Sequence, residues 1–313
     1  MMDAEERELF AKGIQHATAS ASGPDVDAAL DALGWRDALA LDAAATTAAV
    51  FEHQGAAGST SSALDVVMCR ALGLEVDVDT AMVLPALGSV APPGTGALDV
   101  RGVARSAIAD RARAVVVSDA GSAHVVDTAA LALRPVHGID PRLGLVEVTG
   151  TSVGSLEAAP VAAWPEAVAA GQRAIAHELV GAARSMLRLA RDHAVERVQF
   201  DRPIAGFQAV RHRLAESLVC IEGADAAATA AGEDGTVLAA ALAKAVAGCS
   251  ARTVARHSQQ VLAGIGFTTE HPLHHFMRRA LVLDHLLGDA RSLTAGLGET
   301  LLTDRRLPAL LPL

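Results

Sequence analysis

Apolar residues recur three and four positions apart from Glu5 to about Gly73, as in Leu30, Leu33, Leu39 and Leu41 and again in Leu64, Val67, Met68 and Leu72. That is the period of helices with one buried face. Turn compositions at Ser22-Gly-Pro24 and Gly55-Ala-Ala-Gly-Ser59 divide this stretch. From Glu75 the pattern changes to short valine-rich runs, Arg113-Ala-Val-Val-Val117, His124-Val-Val126 and Leu143-Gly-Leu-Val-Glu-Val148, separated by Gly, Pro and Asp. These predict strands, with Ala91-Pro-Pro-Gly-Thr-Gly96 as a loop at their front edge. After Trp164-Pro165 the helical period returns over segments near 166–196, 205–231, 236–264 and 273–303, with Gly232-Glu-Asp-Gly235 as the turn between the second and third. Helices this long find stability by packing together as an antiparallel bundle. The expected fold is therefore mainly α with a small β domain: N-terminal helices over 1–74, a reduced β-barrel or sheet over 75–155, and a C-terminal four-helix bundle over 156–313.

Hydrophobic residues make up 51% of the 313 positions, yet no run of about 20 apolar residues stands out as a bilayer span. The acidic start Met1-Met-Asp-Ala-Glu-Glu-Arg-Glu8 lacks the basic-then-apolar order of a secretory signal. A soluble, cytoplasmic protein without a membrane partner is expected. A net charge of −10 argues against nucleic acid, whose backbone is held by lysine and arginine. Lys12 and Lys244 are the only lysines, so nearly every cation is arginine, whose planar fork suits phosphate or pyrophosphate. Cys69, Cys220 and Cys249 are odd in number and widely spaced, as reduced buried thiols are. His271-Pro-Leu-His-His275 has no carboxylate or cysteine cluster to complete a metal site, and it reads as the start of a helix near Pro272. Gly264-Ile-Gly266 follows a helical pattern rather than a strand, so it is no dinucleotide fingerprint.

Four stretches of the C-terminal half carry more. Glu196-Arg-Val-Gln-Phe-Asp-Arg-Pro-Ile-Ala-Gly-Phe-Gln208 is followed by His212-Arg-Leu-Ala215, by Gln260-Val-Leu-Ala-Gly-Ile-Gly266 and by a helix ending Asp284-His-Leu-Leu-Gly288. In order and spacing these resemble the C-terminal helical domain of acyl-CoA dehydrogenases, a family that places helices, a β domain and a four-helix bundle in this order. The resemblance implies FAD. Arg197 and Phe200 would contact the adenosine diphosphate part of a flavin bound mainly by a neighbouring subunit, the guanidinium on the pyrophosphate and the ring beside adenine. Gln208 would belong to the same surface. Gln260, Ala263 and Gly264 match the Gln-x-x-Gly-Gly segment that lets backbone approach the pyrophosphate, with Ala263 in place of the first glycine. Asp201 stands where the family has glycine, and its carboxylate would repel a pyrophosphate.

The same resemblance shows what is missing. The α-proton of the thioester is removed by a carboxylate, so a positioned base is indispensable. The family places it at one of two positions, here occupied by Leu287 and, by counting back from Arg197, Gly171; neither can accept a proton. Glu166 and Glu178 flank the second position. Nor is a Thr-Glu-Pro-x-x-Gly-Ser-Asp-like loop or a Trp-x-Thr segment recognisable between Ala81 and Thr151, and Trp35 and Trp164 lie elsewhere. The chain thus resembles the base-less subunit of actinobacterial heteromeric acyl-CoA dehydrogenases, in which two different subunits form an α2β2 tetramer around shared flavin sites. What this implies is an accessory subunit with no catalytic residue of its own, completing the FAD site of a catalytic partner that desaturates an acyl-CoA, in that group often a steroid-derived one. A flavin-free scaffold stabilising a related subunit, and a self-sufficient enzyme with Glu178 as a relocated base, are the alternatives.

Overall fold

The computed structural model describes residues 4–21, 24–74, 80–160 and 164–305. Residues 22 and 23 of the first expected turn lie outside these, as does the start of the expected β domain at 75–79. Among the described residues, five helices open the chain: α1 (Ala4–Ser20), α2 (Pro24–Ala32), α3 (Trp35–Leu41), α4 (Ala43–Ala57) and α5 (Ala63–Ala71). Asp42 caps α4 by accepting from Ala45 N, and Arg7 of α1 holds the same carboxylate at 2.9 Å. The turn expected at Gly55 comes three residues later. Helix α4 continues through Gly55 to Ala57 and stops at Gly58, where φ is 65° and the amide closes on Gln54 O and Gly55 O. Gly55 is a contact residue, not a breaker.

Eight short strands follow among the described residues: β1 (Thr80–Met82), β2 (Gly94–Thr95), β3 (Asp99–Arg105), β4 (Arg113–Val117), β5 (Ser122–Asp127), β6 (Ala132–Pro135), β7 (Leu145–Gly150) and β8 (Ser155–Pro160). They form two four-stranded sheets, ordered β1-β4-β5-β8 and β2-β3-β7-β6, antiparallel except for the β1–β4 pair. Part of the expected front loop is strand, Gly94 pairing with Val100. The residue 155 boundary falls at the start of β8, which completes the first sheet by pairing with β5. The valine run of β4 is continuous because both faces are covered. Ala114 and Val116 enter a core between the sheets with Val100, Val126 and Val148, while Val115 and Val117 turn to the helical core.

The C-terminal part consists of α6 (Trp164–Glu196), a hairpin of β9 (Val198–Gln199) and β10 (Arg202–Pro203), α7 (Gln208–Asp234), α8 (Val237–Leu262), α9 (Leu273–His285) and α10 (Ala290–Asp304). The fourth expected helix is two. Leu286 is extended, Leu287 and Gly288 have φ of 57° and 90°, and Asp289 starts α10 by accepting from Arg291 N and Ser292 N. Helix α8 and its short 3-10 extension to Phe267 are long and apolar enough to cross a bilayer by length and composition, contrary to the sequence reading. Here α8 lies against α6 and α7, and the ammonium of Lys244 is buried inside the bundle.

Helix α6 is the axle of the molecule. It packs against α4, α5, α7, α8 and α9, and its 33 residues are rich in buried Ala and Gly. A Cβ on Gly55 would collide with Glu178 O, and one on Gly181 with Glu52 O, so the backbones of α4 and α6 touch through two glycines. Gly181→Ala is expected to destabilise the fold by about 3 kcal/mol. Gly223→Ala, on α7 with nothing within 4 Å, should stabilise by up to about 1 kcal/mol. Urea unfolding of both variants checks the pair, and equal effects would refute the contact.

Candidate functional site

Three segments meet at one end of the antiparallel bundle: the C-terminus of α6, the N-terminus of α7 and the C-terminus of α8. A small apolar cluster fastens them, with Ala190, Ala194 and Val261 buried and Ile204, Ala205, Val210 and Leu214 packed around them. The hairpin β9–β10 stands on this base. Arg197 clamps it, its amide donating to His193 O of α6 and its carbonyl accepting from Ile204 N, both at 2.8 Å. Gln199 pairs with Arg202, leaving Phe200 and Asp201 as a two-residue loop with φ of 53° and 61°. A two-residue loop with positive φ at both residues matches the right-handed twist of the strands. It holds the Phe200 ring out in solvent, 85% exposed, and edge-on to Phe207 at 6.0 Å. The guanidinium of Arg202 lies 4.1 Å from the Phe207 ring centre and backs the pair.

The sequence-predicted residues Arg197, Phe200, Gln208, Gln260, Ala263 and Gly264 are all exposed or partly exposed, and all belong to these three segments. Gln208 is the first residue of α7, its Nε2 lying 3.4 Å from His212 Nε2. Ala263 ends α8 with φ 51° and ψ −130°, a conformation that glycine adopts freely and alanine does not. Asp201 is likewise at positive φ, which Asp tolerates better than most residues. Both departures from glycine fall where the backbone asks for glycine.

A second locus lies at the turn between α9 and α10. Leu287 is 1% exposed, and a Cβ on Gly171 would strike its Cδ1 and the Met68 sulfur. The two positions at which a base was sought therefore face each other, and the space between them is filled with hydrocarbon. Gln172 Nε2 donates to Leu287 O at 2.9 Å, while the buried Lys244 Nζ donates to Asp284 O at 2.9 Å and Gly288 O at 3.1 Å. Burial pushes the Lys244 ammonium down to about 8, Asp284 and Asp289 acting the other way. Arg252 pairs with Asp284, which also accepts from Ala290 N.

Glu178, the alternative base, is engaged by Arg279. Its carboxylate is fully buried beside Arg279, with Oε1 3.4 Å from Nη1. Arg279 also reaches Asp140 of the β domain at 2.5 Å, Ser59 O at 2.7 Å and Thr60 Oγ1 at 3.1 Å. This is a structural ion cluster sealing α6 and α9 against the α4–α5 loop and the β domain. Glu166 is exposed in the first turn of α6. In the run of three histidines ahead of α9, His271 Nδ1 accepts from Leu273 N at 3.2 Å and opens the helix.

The family model "Acyl-CoA dehydrogenase, C-terminal domain" matches residues 166–301. Acyl-CoA dehydrogenase IpdE2 of Mycobacterium tuberculosis is 30% identical over 298 residues, covering 90% of this chain and 92% of that protein. The chain belongs to the acyl-CoA dehydrogenase family. Among solved structures, the ChsE4-ChsE5 complex from Mycobacterium tuberculosis matches with a TM-score of 0.77 at 18% identity, over 98% of this chain and 99% of that one. A Tcur3481-Tcur3483 steroid ACAD variant gives 0.77 at 21% identity, over 96% of each. Acyl-CoA dehydrogenases bind FAD, and the exposed aromatic, guanidinium and amide groups at the bundle end are chemically suited to its adenosine diphosphate half.

One loop of the β domain, between β1 and β2, bears a short likeness to a family segment. Leu84-Pro-Ala-Leu-Gly-Ser-Val90 keeps the Pro-x-x-Gly-Ser core of the family's flavin-covering loop, with Val83, Leu84 and Val90 where that loop has Thr, Glu and Asp. It docks on the α9–α10 turn, Gly88 N donating to His285 O at 2.7 Å, and Trp164 Nε1 donates to Val90 O at 2.8 Å. Its polar signature has become apolar, which hid it. Two outcomes are expected for this acyl-CoA dehydrogenase chain. Glu178→Gln should lower the melting temperature without changing kcat of what remains folded. Ala263→Gly should stabilise by about 1 kcal/mol, since it relieves backbone strain. Calorimetry and steady-state kinetics on the assembled protein check both.

Proposed function

We propose that this chain is the accessory subunit of an FAD-dependent acyl-CoA dehydrogenase, completing the flavin site of a catalytic partner in an α2β2 assembly. One observation carries this reading. The base positions are packed shut by Leu287, Gly171 and Met68, while Arg197, Phe200, Gln208, Gln260 and Gly264 stand open to solvent together at the bundle end. A chain that had lost the whole function would have no reason to hold Phe200 out in water on a left-handed turn. The names of the ChsE4-ChsE5 complex and of the steroid ACAD support a heteromer and, for the substrate, a steroid-derived acyl-CoA thioester.

In this reading the partner supplies the carboxylate that takes the α-proton, and bound FAD supplies the acceptor for the β-hydride. The present chain orients. Arg197 offers charge-assisted hydrogen bonds to the pyrophosphate, Phe200 a stacking face beside adenine, and the turn at Ala263-Gly264 a close backbone approach. Asp201 beside Phe200 sets a negative charge at the rim and disfavours any pose that brings the pyrophosphate over the hairpin.

The test is co-expression with the catalytic subunit. The chain purified alone should be colourless and inactive, and the complex yellow and active. Arg197→Ala should lower the flavin content of the complex severalfold, Phe200→Ala should raise the FAD dissociation constant about tenfold, and native mass should stay that of the tetramer. Unchanged flavin content in both variants would favour a pure scaffold, and robust acyl-CoA oxidation by the chain alone would overturn the accessory role.

A further inference from the structure

A second polar site is a cavity of about 280 Å³ between α5 with its preceding loop, the edge of β1 and the end of β3. Its deepest cation is Arg105, the last residue of β3. It is 5% exposed, and none of its Nε, Nη1 and Nη2 has a hydrogen-bond partner. Arg111 and Arg142 line the same cavity, as do Ser61 and Ser62 ahead of α5. Arg111 is partly answered by Asp27 at 3.8 Å, whereas among the described residues no ion pair is found for the Arg142 guanidinium, which is exposed at the rim. The buried anion nearest Arg105 is Asp65. One of its oxygens lies 3.4 Å from Met82 N and the other has no partner. Burial pushes the Asp65 carboxyl up to about 6, with the Arg105 charge acting to lower it, and among the described residues no ion pair within 4 Å joins the two.

A guanidinium sealed from water with five unmet N–H groups carries the full desolvation cost of its charge. Elsewhere in this chain a buried arginine is answered: Arg279 has Asp140, Glu178, Ser59 O and Thr60 around it. Arg105 has the burial without the answer, and it lies against a cavity whose other charged lining is Arg111 and Arg142 on one side and Asp27, Asp65 and Asp110 on the other, with the Ser61 hydroxyl already donating to Gln54 Oε1. We infer that this cavity is a binding site for a small oxyanion, a carboxylate or a phosphate group, held by the fork of Arg105 and steadied at the rim by Arg142. A planar carboxylate or a phosphate face accepts two parallel N–H bonds from one guanidinium, which Asp65, held on α5, does not reach to supply. None of Arg197, Phe200, Gln208, Gln260, Ala263 and Gly264 lines it.

Isothermal titration of the assembled protein with inorganic phosphate and, separately, with malonate tests this. At least one should saturate a single site per chain with a Kd of about 1 mM or tighter and raise the melting temperature. Phosphate binding alone assigns a phosphoryl ligand, and malonate binding alone a carboxylate. Arg105→Gln should weaken binding at least tenfold while leaving the flavin content of the complex unchanged. Asp65→Asn, which removes the competing carboxylate, should tighten it. Arg142→Ala, at the rim and harmless to folding, should weaken it severalfold and keeps the test alive if Arg105→Gln misfolds. Absence of saturable binding by either anion, or binding by the Arg105 and Arg142 variants equal to that of the parent, would refute the site.

Discussion

Everything in this molecule hangs on how closely the backbone of α6 can be approached. Buried on nearly every side, the helix meets α4 through Gly55 and Gly181, with α5, α8 and α9 against its alanine-rich flanks. Close approach multiplies dispersion contacts along 33 residues and leaves little room for relaxation, so positions on α6 are fixed relative to its neighbours. Gly171 meets Leu287 and Met68 because of that fit, and the hairpin after Glu196 is aimed by the same helix. One packing constraint thus closes one site and presents the other.

The α9–α10 turn is held from several sides at once. Lys244 and Gln172, both buried, hold three of its carbonyls, and Leu287 sits at φ 57°, a conformation unfavourable for a leucine. A turn required only to join two helices would settle into something less strained. The strain is tolerated because four elements over-determine it: α6, α8, the docked Leu84–Val90 loop and the first turn of α10.

Much of this is legible from residues alone. The valine runs and the long helical periods point to sheets and bundle, and the Arg-x-Gln-Phe and Gln-x-x-x-Gly segments point to the exposed bundle end. The misreadings have local physical causes. Gly55 looks like a break, since a sequence does not reveal that a neighbouring helix needs the missing side chain. The last helix looks continuous, since its split relies on a leucine in a left-handed conformation, which no propensity anticipates. The Leu84–Val90 loop escapes notice once its polar residues are replaced. Arg105 carries no signal: burial of a charge is a property of the fold, and one arginine among many in a sequence looks like any other.

The hairpin at the bundle end has a bearing on assembly speed. Its strands are only two residues each, its loop is set by backbone twist, and its base is nailed to α6 by the Arg197 amide and carbonyl. Its hydrogen bonds and ring contacts are to neighbours in sequence, so it forms with the bundle rather than on encounter with another chain. For the partner proposed above such a surface is ready-made: association would involve little loop ordering, the encounter rate would be governed by orientation and charge, and differences between good and poor partners would fall on the lifetime of the complex.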